Sequence, residues 1–408
     1  SLSQATTTPL GCNEKNEQIY VPLNSLVPMV DPNKLVIDGW DINGASMDKA
    51  MERACVFEYG LQEKLAPYLK DIKPMKSIYY PDFIAANQTD RANNVYPGDR
   101  ASEQHLKLLR NDITQFREKH ELDKVIVVWT ANTERYSEVV QGVHDSEENF
   151  LNAIKNGHSE IAPSQMFAAA SILENCAFLN GSPQNTFCPA LIAMARKRGV
   201  FIGGDDFKSG QTKIKSVLVD FLVSSGIKPE GIVSYNHLGN NDGKNLNAPK
   251  QFRSKEISKS NVVDDVVHSN QILYGKDEKP DHCVVIKYVP TVKDSKRAMD
   301  EYTSKIFMNG LNTIVLHNTC EDSLLAAPII IDLIIFTELF QRIEWKLTYD
   351  KLADFERFDS ILTMLSFLLK APLVPEDSPL VNALFKQRAC IENILRATVG
   401  LPPINDML

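Results

Sequence analysis

Apolar runs that end in a polar loop and lead into a helical segment occur four times, and this order constrains the fold more than any other feature. The clearest run, KVIVVWT at residues 124–130, is followed by a polar loop; the others begin at residues 35, 178 and 200. A continuous apolar run is typical of a parallel strand buried on both faces. Strand, loop and helix in repeated order therefore predict an α/β fold with a doubly wound parallel sheet.

The second half of the chain has a different pattern. Its strand candidates are residues 231–235, 283–290 and 313–317. They lie among fewer helices, which predicts an α+β arrangement beyond about residue 212. Met308-Asn309-Gly310 separates two alternating segments and predicts a β-hairpin. We expect polar coil over residues 1–30 and helices over residues 341–408.

Residues 201–263 concentrate polar residue types that rarely build a core. Asp205 and Asp206 close an apolar run, at the strand end where open α/β sheets hold their ligands. The loop at residues 208–212, KSGQT, precedes a helix, and free N–H groups at a helix N-terminus suit a phosphate or carboxylate. Its order, Lys-Ser-Gly, is not that of a nucleotide-triphosphate loop, and a purely structural helix cap is the alternative. The helix itself has an apolar face that we expect to be buried: Ile214, Val217, Leu218, Phe221 and Leu222.

A second polar loop, at residues 236–243, follows this helix and is dense in Asn and Gly. Either it contributes to a site or it is an ordinary turn. Lys255 and Lys259 come next, four residues apart, so a helix would place them on one face. Two ammonium groups held together lower each other's pKa, which suits proton transfer or phosphate binding. A solvated basic face is the alternative for these lysines.

The composition excludes several classes of function. A formal net charge of −8 and the lack of aromatic residues among the lysines argue against a nucleic-acid or membrane partner. The seven cysteines show no CxxC pair, so we expect reduced thiols, a cytoplasmic protein and no metal site. The first ten residues do not resemble a signal peptide. The apolar residues 324–340 contain Pro328 and Asp332 and are expected to form a buried helix.

Several segments resemble the signature segments of the eukaryotic inositol-3-phosphate synthase (myo-inositol-1-phosphate synthase) family. They are GDDFKSGQT, SYNHLGNNDG, FRSKEISKSNVVDD and HNTCEDSLLA, and the likeness covers nearly the whole chain. The resemblance implies a Rossmann-like NAD-binding domain, incomplete at its N-terminus, whose first part is residues 1–211. It further implies a central α+β domain at 212–325, which carries catalysis and forms a homotetramer, and a helical segment at 326–408 that returns to the first domain.

The resemblance also implies an activity. Similar proteins convert glucose 6-phosphate to inositol phosphate with a tightly held NAD, by oxidation at C5, enolisation, ring closure and reduction. The implied catalytic residues are Lys255, Lys259, Lys296, Lys386, Asp206 and Asp322. Lys255 is expected to transfer the proton at the C5 oxygen, Lys296 to stabilise the carbonyl or enolate oxygen, and the aspartates to orient the lysines. The residues implied to hold the substrate phosphate are Ser209, Gly210, Gln211, Lys259 and Lys386.

For NAD the resemblance implies a long set of binding positions. They are Asp41, Ser77, Ile78, Gln88, Arg91, Thr130, Ala131, Asn132, Thr133, Gly181, Ser182, Asp206, Ser209, Asn240, Asn241, Asp242, Lys255, Asp294, Asp322 and Ser323. Independently of the resemblance, Asp41 follows a short apolar run. An acid at such a strand end typically binds the adenosine ribose, but a simple Asn/Asp turn explains it equally well.

Two departures from the family pattern leave alternatives open. The family's GxGGNNG-type loop does not occur in this sequence, which implies either a fragment or short isoform, or impaired NAD binding. Lys293 stands where the family usually has glycine in Val-Gly-Asp-Ser-Lys. The alternatives to an NAD-dependent synthase are therefore a truncated, NAD-deficient regulatory subunit that co-assembles with full-length synthase, and a less favoured NAD-independent sugar-phosphate isomerase or aldolase.

Overall fold

The computed structural model describes residues 1–347, 354–376 and 378–405, with the backbone alone at residues 260, 261 and 265. Helices and strands are numbered in chain order. The helices are α1 Leu2–Ala5, α2 Met47–Ala54, α3 Tyr59–Leu69, α4 Glu103–Lys119, α5 Glu147–Lys155, α6 Pro163–Leu173, α7 Pro189–Arg198, α8 Gly210–Ser224, α9 Asn241–Leu246, α10 Pro249–Ser260, α11 Asp264–His268, α12 Asp322–Phe340 and α13 Leu384–Thr398.

The strands range from two-residue pairings to eleven-residue ladders. They are β1 Thr7–Cys12, β2 Gln18–Pro22, β3 Trp40–Asp41, β4 Met75–Lys76, β5 Ile126–Trp129, β6 Ala177–Asn180, β7 Ile202–Gly203, β8 Lys228–Leu238, β9 Asp281–Tyr288, β10 Ser295–Lys305, β11 Leu311–Glu321, β12 Glu344–Trp345 and β13 Glu356–Arg357. The predicted helical stretch beyond residue 341 is wrong in its first part, because β12, β13 and irregular backbone precede α13.

The parallel sheet predicted from the apolar runs is present. Strands β5, β6 and β7 pair in parallel in that order, and β3 pairs in parallel with β4. The strand expected at residues 35–37 is wrong: Val36 and Ile37 are exposed, and pairing begins only at β3. The fold is thus α/β, with the carboxyl ends of its parallel strands at one edge.

Both faces of the sheet are covered, which explains why its strands are apolar throughout. Phe178 of β6 packs into a cluster with α4, α6 and α7, whereas its neighbour Leu179 packs into a cluster with α12 and α13. Successive side chains of a strand point to opposite faces, so one strand serves both cores. The C-terminal helices therefore return to the sheet built by the first half of the chain.

The second sheet has the strand order β11-β10-β8-β9 and forms the centre of the α+β part. Strand β10 runs antiparallel to both β11 and β8, and β8 runs parallel to β9. The predicted hairpin is confirmed, because β10 and β11 join through residues 306–310. Helix α8 packs on this sheet through an apolar cluster that includes Val219, Leu222 and Tyr302.

The buried face of α8 differs in part from the prediction, since Leu222 is buried as expected and Leu218 packs against the same cluster. Lys215, Ser216 and Gln211 are buried together with Val219, whereas Phe221 is 52% exposed. The apolar periodicity was read correctly as helical, but the helix is rotated so that part of its polar side faces inward. Those buried polar side chains lie in the candidate site.

The N-terminal residues are not coil as predicted, because α1 and the β1–β2 hairpin occupy them. Asp332, in the middle of α12, accepts hydrogen bonds from the backbone N–H and Oγ of Ser3 at 3.0 and 2.6 Å. Within the described ranges, α12 is the one helix long and apolar enough to cross a membrane by those two criteria. Leu333, Phe336 and Phe340 of α12 are buried, as expected of a core helix.

Lys293 has a backbone conformation that suits glycine, with φ 50° and ψ −128°. A side chain in this region costs about 1–3 kcal/mol. Its carbonyl accepts from Gly239 N–H at 3.0 Å, and a Cβ on Gly239 would meet Lys293 N at 2.3 Å. The two residues therefore hold their loops in close backbone contact.

We expect Lys293→Gly to raise the free energy of unfolding by about 1 kcal/mol, because relief of strain exceeds the added chain entropy of glycine. Urea titration of both proteins measures the difference. Lys293→Ala is the matched control, since it removes the charge and keeps Cβ. An equal gain in the alanine variant would show that charge, not backbone strain, is responsible.

Candidate active site

The carboxylate of Asp206 is the centre of the candidate site. It lies just beyond β7, is 3% exposed, and accepts from Lys370 Nζ at 2.8 Å, Lys255 Nζ at 3.1 Å and Ser258 Oγ at 2.9 Å. Burial disfavours its charge, but the ammonium groups of Lys255 and Lys370 hold the pKa of Asp206 well below its ordinary value. Asp206 is therefore a buried anion between two lysines.

Local backbone structure fixes each of these partners. Asp206 has a left-handed conformation with φ 62°, and its carbonyl accepts from Lys370 N–H at 2.7 Å. On α10, Lys255, Ser258 and Lys259 share one inward face, as the four-residue lysine spacing predicted. The segment around Lys370 and helix α10 thus approach the end of β7 from two sides.

Three further lysines adjoin this pair. Lys259 is 4% exposed, and burial, followed by the charges of Lys296, Lys215, Lys370 and Lys255, lowers its pKa well below the ordinary value. Burial likewise lowers the pKa of Lys215 to about 8. Amines with lowered pKa values are able to exchange protons near neutral pH.

The two lysines on Asp206 differ in protonation. Burial, together with the charges of Lys255 and Lys296, lowers the pKa of Lys370 to about 7, although Asp206 opposes this. Burial also disfavours the charge of Lys255, but Asp206 and Asp242 outweigh it and raise its pKa. One carboxylate therefore holds one amine whose pKa is raised and one amine whose pKa is lowered to about 7.

Lys296 and Asp322, one of the two acids expected to orient the lysines, lie at the junction of β10 and α12. Its Nζ is 3.8 Å from Asp322 Oδ2. Asp294 accepts from Ser323 N–H at 3.0 Å and from Ser323 Oγ at 2.6 Å, which ties the start of β10 to the first turn of α12.

The anion loop predicted at residues 208–212 opens α8. Ser209 is the N-cap residue, and its side chain does not cap the helix. The N–H groups of the first helical turn have no intrahelical partner, so this turn of α8 is suited to an anion. The backbone of Gly181 also packs closely against the Phe207 ring beside this turn, since a Cβ on Gly181 would lie 2.0 Å from that ring.

A cavity of about 360 Å³ extends from the carboxyl ends of β3, β4 and β5 along the length of β5 as far as Val125. It is lined by seven of the residues assigned to NAD: Asp41, Ser77, Ile78, Arg91, Thr130, Ala131 and Asn132. Two donor atoms of residues that line the cavity, Arg91 Nε and Trp129 Nε1, are buried without a hydrogen-bond partner in the described part of the chain. Unsatisfied buried donors beside a strand-end cavity fit a dinucleotide.

Side-chain contacts link this cavity to the lysines. Thr133 N–H donates to Asp242 Oδ1 at 2.9 Å, and Asn241 Nδ2 donates to Asn132 Oδ1 at 3.2 Å. Gln88 accepts from Arg91 Nη1 at 3.2 Å, and Ser182 Oγ donates to the Ala131 carbonyl at 2.8 Å. The loop containing Asn240 therefore contacts the loop after β5. Groups of three or more His, Cys, Asp or Glu side chains suited to a metal are absent from the described residues.

Lys386 is placed differently from the prediction. It is exposed on α13, where its neighbour Gln387 faces inward and accepts from Lys208 Nζ at 2.8 Å. Lys370 occupies the position in the cluster that Lys386 was expected to fill. The sequence offered one signal for Lys370, a lone lysine at the end of the apolar residues 361–369, and Lys215 had none beyond its place on α8.

Fold and site together are those of a dinucleotide-binding α/β protein with a buried cluster of lysines beside an aspartate. The family model for myo-inositol-1-phosphate synthase, an NAD-binding family, matches residues 1–396. The chain belongs to the myo-inositol-1-phosphate synthase family.

Individual relatives agree. The chain is 61% identical to mouse inositol-3-phosphate synthase 1 over 408 residues, covering all of this chain and 72% of the mouse protein. It is 60% identical to the Dictyostelium discoideum inositol-3-phosphate synthase, covering 79% of that protein. The crystal structure of the Caenorhabditis elegans synthase superposes with a TM-score of 0.96 at 56% identity, over all of this chain and 79% of that one. These matches support a synthase and not the NAD-deficient regulatory subunit.

Substituting Asp206 tests the charge arrangement. We expect Asp206→Asn to lower the free energy of unfolding by about 3–5 kcal/mol, because it leaves two buried amines without their anion. In the wild-type protein, the stabilisation by ionised Asp206 is fully present above the pKa that aspartate has in the unfolded chain. It is lost as the pH falls through the lowered pKa of Asp206 in the folded protein. Urea titrations at several pH values measure it.

Asp205→Asn is the matched control. Burial, and secondarily the charge of Asp206, raises the pKa of Asp205 to about 8, so the wild-type group is mainly neutral at pH 7. A raised carboxyl pKa makes stability fall as the pH rises from the unfolded value towards 8, and asparagine removes that loss. We expect no destabilisation at pH 7; an equal loss in both variants would contradict the assigned charges.

Proposed function

We propose that this chain is an inositol-3-phosphate synthase that converts D-glucose 6-phosphate to 1D-myo-inositol 3-phosphate. The observation that carries the proposal is the buried lysine cluster around Asp206, next to a strand-end cavity suited to NAD. The names of the relatives support it. Incubation of the purified chain with glucose 6-phosphate, with and without added NAD, tests it by phosphorus NMR of the product. Turnover by a chain shown to be free of NAD would favour an NAD-independent isomerase or aldolase instead.

The phosphate of the substrate would bind at the first turn of α8. The backbone N–H groups of Gly210 and Gln211 belong to this turn and have no intrahelical partner, and the hydroxyl of the N-cap residue Ser209 makes no hydrogen bond to the helix. Lys259 supplies charge: a bound dianion favours its protonated form and so compensates the cost of its burial. The proposal assigns no role in phosphate binding to the exposed Lys386.

NAD would be held by the residues that line the cavity, with Asp41 at the ribose and Arg91 and Trp129 supplying unsatisfied donors. When bound, NAD supplies the acceptor and later the donor of the hydride at C5. The contacts of Thr133 with Asp242 and of Asn132 with Asn241 would keep this cavity next to the lysines.

The proton chemistry is assigned from the protonation of the amines. Lys370 is the group that accepts the proton of the C5 hydroxyl, because its pKa of about 7 leaves much of it neutral. Lys255 keeps its proton and stabilises the negative charge that develops on the same oxygen. The proton transfer expected of Lys255 from the resemblance is therefore assigned to Lys370.

Ring closure requires an enolate and a receiving carbonyl. An amine of the cluster removes the C6 proton, Lys296 stabilises the enolate oxygen, and the C6–C1 bond forms while the C1 oxygen takes a proton. Returning the proton from Lys370 to the C5 oxygen accompanies the final reduction. Product and substrate are then isomers, and the protein ends in its starting protonation state.

We also propose a homotetramer assembled through the central domain and a cytoplasmic location. Large apolar side chains are exposed on β10, β11 and their connection, among them Met299, Phe307, Met308, Leu311 and Val315. Exposed apolar area of this extent on one sheet suits a protein interface. All seven cysteines are free thiols, which fits a reducing compartment. Sedimentation velocity tests the assembly, and a monomer at micromolar concentration would contradict it.

Lys370 and Lys386 offer a direct comparison between a buried and an exposed lysine. We expect Lys370→Ala to lower kcat by about 10²–10⁴-fold, since it removes a positioned base. Lys386→Ala should remain within about threefold of the wild-type value, as surface substitutions away from a site usually do. Steady-state kinetics with thermal melts as a folding check decide between them. A larger loss of kcat in Lys386→Ala than in Lys370→Ala would assign the role of the base to Lys386.

The pH profile follows from the same assignment. Below a pH of about 7, protonation of Lys370 removes the base, so kcat/KM should fall about tenfold for each further pH unit. Initial rates between pH 5.5 and 8, with intrinsic fluorescence to verify folding, measure the profile at roughly half-unit steps, which resolves a single pKa. A flat profile across this range would exclude Lys370 as the base.

A further inference from the structure

The side chain of Gln211 has a fixed orientation. It lies in the first turn of α8, is 6% exposed, and its Nε2 donates to Asp300 Oδ1 at 2.8 Å. Asp300 lies on β10, is 1% exposed, and also accepts from Tyr302 O–H at 3.4 Å. Since Asp300 serves as the acceptor, it decides which end of the Gln211 amide is nitrogen.

The other end of this amide is unsatisfied. Gln211 Oε1 is buried and has no hydrogen-bond partner among the residues that the structure describes. A buried acceptor left without a donor costs about 1–3 kcal/mol, and in native proteins such an atom calls for an explanation. A hydrogen bond that joins α8 to β10 needs only Nε2 of Gln211. A purely structural role of the side chain therefore does not explain why Oε1 is unsatisfied.

The surroundings indicate what kind of donor is missing. Lys215, one turn further along α8, is close enough to Asp300 for the carboxylate to oppose the lowering of its pKa, and it adds to the charge felt by Lys259. The unsatisfied oxygen therefore belongs to the turn of α8 that faces the lysine cluster. A phosphate dianion has only acceptor oxygens and is unable to donate to Oε1, whereas a sugar hydroxyl is able to.

We propose that Gln211 Oε1 accepts a hydrogen bond from a hydroxyl group of the substrate, and that Asp300 is the positioning residue that holds the amide in this orientation. The backbone N–H of Gln211 serves the phosphate, and its side chain selects the polyol chain. This inference rests on the proposed function and refines the phosphate role implied for Gln211. A site built to satisfy a hydroxyl discriminates strongly against a ligand that lacks it.

The test compares two ligands on the full chain by isothermal titration: inorganic phosphate, and sorbitol 6-phosphate as an open-chain polyol phosphate. Gln211→Met keeps the length of the side chain and the backbone N–H but removes the acceptor. We expect this substitution to raise the Kd for sorbitol 6-phosphate by about tenfold or more. The Kd for inorganic phosphate should stay within about twofold of the wild-type value. Equal weakening of both ligands, or of neither, would overturn the inference.

Deoxy analogues identify the hydroxyl. Among the sorbitol 6-phosphates that lack one hydroxyl, at C1, C2, C3, C4 or C5, one should bind the wild-type protein and Gln211→Met equally well. The loss from removing that hydroxyl and the loss from Gln211→Met would then be non-additive, as expected of contacting groups. Full additivity at all five positions would contradict direct recognition by Gln211. If the wild-type chain binds neither sorbitol 6-phosphate nor phosphate, the proposed function fails and not this inference alone.

Asp300→Asn tests the positioning role. Asparagine donates as well as accepts, so the Gln211 amide is free to turn its nitrogen towards the ligand. We expect a raised KM for glucose 6-phosphate and the same loss of deoxy discrimination as in Gln211→Met, with phosphate affinity retained. Retained discrimination in a folded Asp300→Asn protein would exclude the positioning role, and Gln211→Met decides the main proposal even if this variant does not fold.

Discussion

The contact of Asp206 with Lys255 and Lys370 is the interaction on which the rest of the site depends. Its partners are 49 and 164 residues away in the chain, one on α10 and the other just before the C-terminal helix. A buried carboxylate is stable only when charges and hydrogen bonds compensate its desolvation. The anion therefore draws both segments to the end of β7 and closes the site around that point.

Neighbouring groups of the same type differ in protonation because their surroundings differ. Asp205 and Asp206 are both close to the sheet end, yet the Asp205 carboxylate accepts from the amide of Asn180, whereas the Asp206 carboxylate accepts from two ammonium groups. The same contrast separates Lys255 from Lys370. Environments that drive the pKa values of like groups apart are how one site supplies both an acid and a base at one pH.

Sequence reasoning predicted the parts of the fold that local pattern determines. Strands β5 and β6 follow from continuous apolar runs, and α7 ends where Gly199 adopts the left-handed conformation that glycine favours. It also predicted the pairing of Lys255 with Lys259, which needs only helical spacing. It missed Lys370 because the partners of that lysine come from distant segments, and periodicity carries no information on such contacts. The exposed apolar run at residues 35–37 failed as a strand for the same reason, since burial is decided by packing.

Helix α8 shows why a count of apolar residues does not predict the inward face of a helix that contributes to a site. Burying Lys215 and Gln211 is costly, and the structure offsets this with specific partners: Lys215 Nζ lies 2.8 Å from Ser234 Oγ and 2.7 Å from His282 Nε2, and Gln211 is bonded to Asp300. An apolar helix face packed inward would have been more stable but would have supplied no hydrogen-bonding group to the cluster. The consequence is that Phe221, an apolar side chain on the same helix, is left largely exposed. A helix turned to bring polar groups to the site therefore exposes apolar area that its periodicity alone would place inside.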